Sequence, residues 1–167
     1  PSPFPPEHRR VLVCPQVSTA WRDRDRDRIQ TADLVSDAIR CVPGNVAVFC
    51  PSFAFLEALA PLLDTGDRPI LVQHRGMKEA ARTEVLQTMK QGAGHALLAV
   101  LGGIFSEGID LPGNALMAAI IVGPSLPAAN PERRLIQDWF ESQYGEGFRY
   151  AWLVPGMSRV VQAAGRI

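Results

Sequence analysis

The sequence of 167 residues has few lysines and no long apolar run. Only two of its seventeen basic residues are lysines, Lys78 and Lys90, and the formal net charge is zero. That balance excludes a uniformly basic nucleic-acid coat protein but leaves room for a local basic strip. The longest apolar stretches, residues 96–105 and 115–123, fall short of the ~20 residues that a membrane span needs. We therefore expect no segment that crosses a membrane.

Cysteine is also scarce, with Cys14, Cys41 and Cys50 as its three occurrences and no C-x-x-C pair. The odd number and the spacing argue against a disulfide framework and against a zinc or iron–sulfur site built by this chain alone. Each cysteine lies in or beside an apolar run, so we expect all three to be small buried side chains. The sequence thus predicts a protein of a reducing compartment, the cytoplasm, and no metal site in the chain.

The composition is that of a folded domain, with 47% hydrophobic and 20% charged residues against an average of roughly 25% charged. The length fits one domain. The chain opens on a proline-rich stretch without Met or a signal-peptide pattern, and it stops within a Gly-Arg-Ile sequence. We expect it to be part of a larger soluble protein, with residues 1–9 as a linker.

Short apolar runs alternate with longer amphipathic segments along the chain. The apolar runs have the length and the β-branched content of buried strands, at residues 10–17, 46–50, 69–73, 96–101, 118–122 and 150–154. The spacing between them predicts helices over residues 29–40, 53–63 with Ser52 as N-cap, 77–90 and 131–144, and a last helix capped by Ser158. The alternating Arg/Asp run at residues 22–28 predicts a solvated, self-neutralising helix entry, with phosphate contact as the alternative.

Strands that are apolar on both faces and separated by helices predict an α/β fold with a parallel sheet covered by helices on both faces. In such sheets, ligands bind beyond the carboxyl ends of the strands. The loops that follow those ends are therefore where functional side chains are expected.

Several common catalytic motifs are missing from these loops. A phosphate-binding loop, G-x-x-x-x-G-K-[ST], would need Ser or Thr after its lysine, but Lys78 precedes Glu79 and Lys90 precedes Gln91. No G-x-G-x-x-G follows a strand, and the sequence after Gly123 lacks the second glycine of a nucleophile elbow. A complete phosphate-binding or hydrolase site is therefore not expected in this chain.

Two segments combine residues that suit nucleotide chemistry. The loop at residues 101–113 holds Ser106, Glu107 and Asp110 among glycines that include Gly108, and glycine permits close backbone approach. Near the carboxyl terminus, Gln162 and Arg166 are four residues apart and share a helix face, with small residues between them. A glutamine amide and a guanidinium directed together at a cleft suit a polyphosphate and its attacking water.

These segments resemble known helicase motifs. The sequence F-S-E-G-I-D at residues 105–110 is similar to motif V of the XPD/DinG branch of superfamily 2 DNA helicases. The sequence Q-A-A-G-R at residues 162–166 is similar to the start of motif VI, and V-A-V-F-C-P-S-F at residues 46–53 is similar to motif IV. Three motifs in order on the expected strands make this a specific resemblance, which extends from about residue 11 to the end.

The family has two RecA-like domains, and the chain resembles the second, C-terminal one. The resemblance implies a three-layer RecA-like sheet over residues 1–167, ending within motif VI. It implies ATP with Mg²⁺ as the cofactor, with the metal ligands and a possible iron–sulfur cluster on the absent first domain. It also implies that the chain alone does not hydrolyse ATP, because the Walker lysine belongs to that domain.

Residue by residue, the resemblance implies a nucleotide side and a DNA side. Arg166 would reach the γ-phosphate as a catalytic residue, and Gln162 would orient it or touch the phosphate or water. Gly108 and Asp110 would line the nucleotide.

On the DNA side, Ser52 and Ser106 would contact the phosphate backbone of a single strand, with 5′→3′ travel. Phe53 is expected in the core, with base stacking as its alternative. The implied partners are single-stranded DNA and the N-terminal RecA-like domain of the same protein.

Two other functional classes stay open. The missing Walker lysine and the zero net charge also fit a non-catalytic RecA-like module that binds nucleic acid or a partner protein. A self-contained α/β transferase or hydrolase would need a catalytic constellation that the sequence does not show. An upstream G-x-x-x-x-G-K-[ST] with a D-E-x-H box in the same gene would favour the motor.

Overall fold

The computed structural model describes residues 10–106 and 115–165. Its centre is a sheet of four parallel strands in the order β2-β3-β1-β4. The strands are β1 Val46–Cys50, β2 Ile70–Val72, β3 Ala96–Val100 and β4 Ala118–Ile121. The helices are α1 Arg28–Cys41, α2 Phe53–Leu59, α3 Glu79–Gln91, α4 Pro131–Tyr144 and α5 Val154–Ala164. A 3-10 turn, Ala60–Leu62, follows α2 directly. A π-helical stretch, Arg149–Leu153, leads directly into α5.

Two apolar cores lie on opposite faces of the sheet, because side chains along each strand alternate between faces. One core joins the sheet to α1 and α2 and contains Val35, Ile39, Val46, Val48, Cys50, Leu56, Leu59 and Leu98. The other joins the sheet to α3 and α5 and contains Ala47, Phe49, Met89, Leu97, Leu101, Phe105 and Ala163. The predicted three-layer α/β fold, with a parallel sheet between helices, is confirmed.

Asn45 connects the elements at the amino end of the sheet. Its side chain is buried. The amide nitrogen donates to Met89 O at 2.7 Å and to Gly92 O and Ala115 O at 2.9 Å, while Oδ1 accepts the His95 N–H at 2.8 Å. Asn45 therefore joins the end of α3 to the segments that lead into β3 and β4.

Two predicted strands are wrong. Residues 10–17 lie outside the sheet and include a turn at residues 15–16, and Val11, Leu12 and Val13 are 77–83% exposed. Residues 150–154 are helical: their side chains pack on α4, and their backbone does not join the sheet. The Tyr150 ring stacks on Phe140 with centroids 4.6 Å apart, and Trp152 Nε1 donates to Gln137 Oε1 at 2.9 Å.

The predicted cap of the last helix is wrong for a related reason. Because α5 begins at Val154, Ser158 lies in its second turn, and its hydroxyl donates to Val154 O at 2.9 Å. Each of the other predicted elements is present, with bounds shifted by a few residues. The predicted linker at residues 1–9 lies outside the described residues. None of the helices in the described ranges is long and apolar enough to cross a membrane.

The cysteines differ in exposure. Cys14 and Cys41 are exposed, so the expectation that all three are buried is wrong for these two. Cys14 belongs to the unpaired amino-terminal segment, and Cys41 is the last residue of α1. Cys50 ends β1 with no exposed surface, and burial raises the pKa of its thiol to about 12.

This difference predicts the thiol chemistry of the folded chain. A maleimide at neutral pH is expected to label Cys14 and Cys41 quickly, because the thiolate is the reactive form and both are exposed. Cys50 should react only after unfolding in guanidinium chloride. In a double variant, Cys14→Ser with Cys41→Ser, mass spectrometry should find no rapid label, and rapid labelling of that variant would contradict the packing of β1.

Candidate functional site

The loops after β1 and β3 leave the sheet side by side. The Leu101 N–H donates to Cys50 O at 2.8 Å, which extends the parallel pairing to the last residue of β1. Beyond it, Ser52 begins α2, and its hydroxyl accepts the Phe55 N–H at 3.2 Å. The predicted N-cap is therefore confirmed, and Ser52 lies partly exposed at the carboxyl end of the sheet.

The turn after β3 is held by Ser106. Its hydroxyl accepts the Gly102 N–H at 2.6 Å and donates to Gly103 O at 3.1 Å. Gly102 has φ +78°, a conformation that favours glycine. The Ser106 side chain is only 1% exposed, so its hydroxyl is occupied inside the turn instead of facing solvent.

Gln73 supports the same turn from β2. Its Oε1 accepts the Val100 N–H at 2.9 Å, and its side chain is buried. A Cβ at Gly103 would lie 2.9 Å from Val100 O and 3.2 Å from Gln73 Nε2, so a glycine is required for this close approach. Gln73 is not among the residues predicted from the sequence, although its place at the end of an apolar strand is a usable signal.

Arg159 on α5 joins the helix to two of these loops. Its Nη1 donates to Ser125 O at 2.9 Å and to Ser125 Oγ at 3.3 Å, in the segment after β4. Its side chain also lies against Gly102, where a Cβ would be 3.0 Å from Arg159 Cδ and Nε. Arg159 is not among the residues predicted from the sequence, although its place three residues before Gln162 on one helix face could have indicated it.

The predicted nucleotide residues are described only in part. Gln162 is exposed on α5, and the next residue, Ala163, is buried in the same core as Phe105 from the turn after β3. Gly108, Asp110 and Arg166 lie outside the described residues. The structure therefore locates Gln162 on a helix joined to the carboxyl end of the sheet through Arg159.

The amino-terminal segment also lies at this end of the sheet. Thr19 packs so closely on Gly123, after β4, that any side chain at Gly123 would collide with it. The Arg24 guanidinium lies 5.0 Å from the centroid of the Trp21 ring and 5.6 Å from that of Phe55 in α2. These contacts connect the segment to α2 and to the loop after β4.

The Arg/Asp run is internally paired, as its composition predicts. Arg26 Nε lies 2.6 Å from Asp27 Oδ1, and Arg28 pairs with Asp25. The hydrogen bond from Arg26 and the backbone N–H of Ser18 lower the pKa of Asp27 to about 2. Asp27 is therefore charged at neutral pH and anchors the segment through Ser18, whose N–H donates at 2.8 Å.

Aromatic and basic side chains meet on α2, the helix that Ser52 begins. The Arg75 guanidinium lies 4.9 Å from the centroid of the Phe53 ring, and Lys78 is exposed in the same loop after β2. Phe53 is partly exposed, whereas Phe55 and Leu56 supply the core contacts of α2, so the expectation that Phe53 is a core residue is wrong. We call Trp21, Arg24, Phe53, Arg75 and Lys78 the aromatic–basic margin.

A family comparison decides the relationship. The model of the helicase C-terminal domain matches residues 35–167, most of the chain. The chain belongs to this family.

Relatives with helicase names support the assignment. Probable ATP-dependent helicase MJ0942 of Methanocaldococcus jannaschii is 25% identical over 152 residues, covering 84% of this chain and 23% of that protein. ATP-dependent DNA helicase chl1 of Aspergillus clavatus is 27% identical over 124 residues, covering 64% of this chain and 17% of that protein. The helicase C-terminal domain described here thus spans less than a quarter of the length of these relatives.

Solved structures share the fold. An XPD helicase structure matches 90% of this chain and 27% of its own chain, with a TM-score of 0.72 and 19% identity. A second structure, Xpd4 of S. tokodaii, matches with a TM-score of 0.56 over 89% of this chain and 28% of its own, at 18% identity. The fold of the helicase C-terminal domain is therefore that of an XPD helicase domain.

Metal ligands are not grouped in the described part of the domain, where no cluster of three or more His, Cys, Asp or Glu side chains could hold an ion. The carboxyl end of the sheet instead offers amide, hydroxyl, guanidinium and aromatic groups. These groups suit phosphates and bases better than a divalent cation.

Proposed function

We propose that this chain is the second motor domain of an ATP-dependent, XPD/DinG-like DNA helicase. In this proposal it supplies motifs IV, V and VI to an ATP site between two domains and to a single-strand DNA track. One observation carries the proposal: Arg159 joins α5, which presents Gln162, to the loops after β3 and β4. Ligands of open α/β sheets bind at that end of the strands.

The nucleotide side of the proposal centres on α5. Gln162 is exposed near the end of α5, and Arg166 follows it by four residues in the sequence. Arg166 would stabilise charge on the γ-phosphate, Gln162 would orient it or the attacking water, and Gly108 and Asp110 would line the nucleotide. The N-terminal RecA-like domain would supply the Walker lysine and the Mg²⁺ ligands, so the isolated chain would not hydrolyse ATP.

The DNA side of the proposal centres on Ser52 and the aromatic–basic margin. Ser52 is partly exposed next to Phe53, which the Arg75 guanidinium covers, an arrangement suited to a phosphate and a stacked base. Ser106 is buried, so in this proposal it holds the turn after β3 while backbone groups of that loop meet the strand. Such backbone binding carries no sequence preference and weakens with salt.

The two sides would work in a cycle. ATP would draw the first domain against the carboxyl end of this sheet, and Arg166 would meet the γ-phosphate only in that closed state. Hydrolysis would then follow closure, and product release would reopen the cleft. DNA held by both domains would advance 5′→3′ as they cycle, and an iron–sulfur cluster would belong to the first domain.

The experiment uses the full-length protein that contains this chain. Single-stranded DNA is expected to stimulate its ATP hydrolysis, because strand and nucleotide share the domain cleft. Stimulation would support the motor. Binding of DNA without hydrolysis would instead favour the alternative, a non-catalytic RecA-like module.

A second prediction tests the DNA side alone. Phe53→Ala is expected to weaken single-strand binding by about 1–3 kcal/mol, the value of one base stacked on an aromatic ring. Fluorescence anisotropy with an oligonucleotide, at two salt concentrations, measures this. Phe148→Ala is the matched control, since Phe148 is an exposed aromatic residue outside the aromatic–basic margin. Equal affinity of both variants and the wild type would contradict a DNA contact at Phe53.

A further inference from the structure

Arg159 has no role in the motifs from which the function is proposed. It lies on α5 one turn before Gln162, and its guanidinium reaches back to the segment after β4. Among the described residues, no carboxylate lies within ion-pair distance of it. Its partners are Ser125, which is buried, and the glycine turn after β3.

We propose that Arg159 is a positioning residue that couples the DNA side of the domain to its nucleotide side. The proposal rests on the proposed function. Arg159 would fix α5, and with it Gln162, relative to the turns after β3 and β4. A displacement of either turn by DNA would then move the nucleotide-facing helix as one body with it.

Arg159 contacts two loops at the carboxyl end of the sheet. Nη1 bonds both the carbonyl and the hydroxyl of Ser125, at 2.9 and 3.3 Å, so the guanidinium is held against the segment after β4. The end of the stem at Cδ and the adjoining guanidinium atoms Nε and Cζ lie against Gly102, which has room for them because glycine carries no Cβ. Arginine has a planar guanidinium with several N–H donors at the end of a long apolar side chain. Lysine has a similar apolar side chain but no planar guanidinium.

The contacts of Arg159 with Gly102 lead on to further contacts within the turn after β3. Gly102 donates to the Ser106 hydroxyl at 2.6 Å, and Ser106 is buried beside Phe105. Phe105 belongs to the same core as Ala163, the residue after Gln162. The turn after β3 and the helix of Gln162 are thus connected twice, by Arg159 at the surface and by apolar packing beneath it.

The test compares Arg159→Met, which keeps an apolar stem without donors, with Arg159→Lys in the full-length protein. For Arg159→Met, kcat of DNA-stimulated ATP hydrolysis is expected to fall about 10- to 100-fold, as misplacement of catalytic groups by about 1 Å can cause. KM for ATP and Kd for the oligonucleotide should stay near wild type, because Arg159 touches neither ligand. Arg159→Lys should recover part of kcat through one hydrogen bond to Ser125 O.

Arg134→Met is the matched control, because Arg134 is exposed on α4. It should hydrolyse ATP at the wild-type rate. Wild-type kcat in Arg159→Met would overturn the proposal. A raised KM or Kd with unchanged kcat would overturn it too, since it would make Arg159 a ligand-binding residue.

Hydrogen exchange distinguishes a local loss of the Arg159 contacts from misfolding of the domain. It also tests those contacts independently of the proposed motor function. In Arg159→Met, amides of residues 101–106 and 122–126 should exchange faster, while those of β1 and β3 keep wild-type protection. Faster exchange throughout the sheet would show that Arg159 stabilises the whole fold and does not specifically position α5, and it would overturn the proposal. Absence of DNA-stimulated hydrolysis in the wild type would refute the motor itself, whereas the exchange pattern would still report whether Arg159 joins the two loops.

Discussion

Arg166→Ala in the full-length protein is expected to lower the rate of ATP hydrolysis by roughly 10³-fold or more. An arginine that meets the γ-phosphate only in the closed state stabilises transition-state charge, and its loss costs 10³–10⁵ in kcat. Because ground-state binding relies on other groups, the KM for ATP should change far less than kcat. Steady-state kinetics with saturating single-stranded DNA measure both.

DNA binding must be followed in the same variant, since a misfolded domain would also be inactive. Single-strand affinity is expected to stay at the wild-type value in Arg166→Ala. Arg134→Ala, which removes an exposed arginine of α4, should leave hydrolysis unchanged. An Arg166→Ala rate within a few-fold of the wild type would remove Arg166 from the catalytic role.

Asn45→Ala is expected to destabilise the domain by about 3–4 kcal/mol. The substitution leaves Met89 O, Gly92 O, Ala115 O and the His95 N–H without the side-chain partner they have now. A buried polar group without a partner costs about 1–3 kcal/mol. Of the four residues that carry these groups, only Met89 is buried, so water can reach some of the others. Native-state hydrogen exchange of β1 and β3 should therefore accelerate by roughly 10²- to 10³-fold.

Asn130→Ala provides the comparison, since Asn130 also uses its side chain for a backbone bond. Its Oδ1 accepts the Arg133 N–H at 2.7 Å as the N-cap of α4, but the site is exposed. Loss of such a cap costs about 1 kcal/mol. If both variants exchange at the same rate in β1 and β3, Asn45 does not hold the sheet in the way its contacts indicate.

Local patterns were sufficient for most of the fold. The burial of β1 on both faces follows from its continuous apolar sequence, and the bounds of α4 follow from Pro131 at its first turn and a glycine after Tyr144. Ser52 was predictable as a cap because the hydroxyl precedes an apolar helix. In each case the determining interactions lie within a few residues of one another.

The errors arise where distant residues decide the structure. Residues 150–154 have the composition of a strand, but they are helical and pack on α4. Tyr150 stacks on Phe140, and Trp152 donates a hydrogen bond to Gln137. Val11, Leu12 and Val13 are apolar as well, yet they lie outside the sheet. Periodicity and propensity report neither pairing nor tertiary packing.

The candidate site shows the same division. Gln162 and Ser52 were found from motifs, whereas Arg159 and Gln73 act through contacts with residues 34 and 27 positions away. Ser106 was identified in the correct loop, but its burial inside the turn depends on the φ of Gly102 and on the Phe105 core, which the sequence does not display. Spacing indicates which residues share a face, and only the fold shows what that face meets.

In the proposed motor, α5 and the turn after β3 form one wall of an ATP site completed by another domain. The most direct measurement is a structure of the full-length protein with a non-hydrolysable ATP analogue and single-stranded DNA. We expect the Arg166 guanidinium within hydrogen-bond distance of the γ-phosphate, and the strand passing over Ser52. Nucleotide bound away from α5, with the carboxyl end of this sheet open to solvent, would contradict the account.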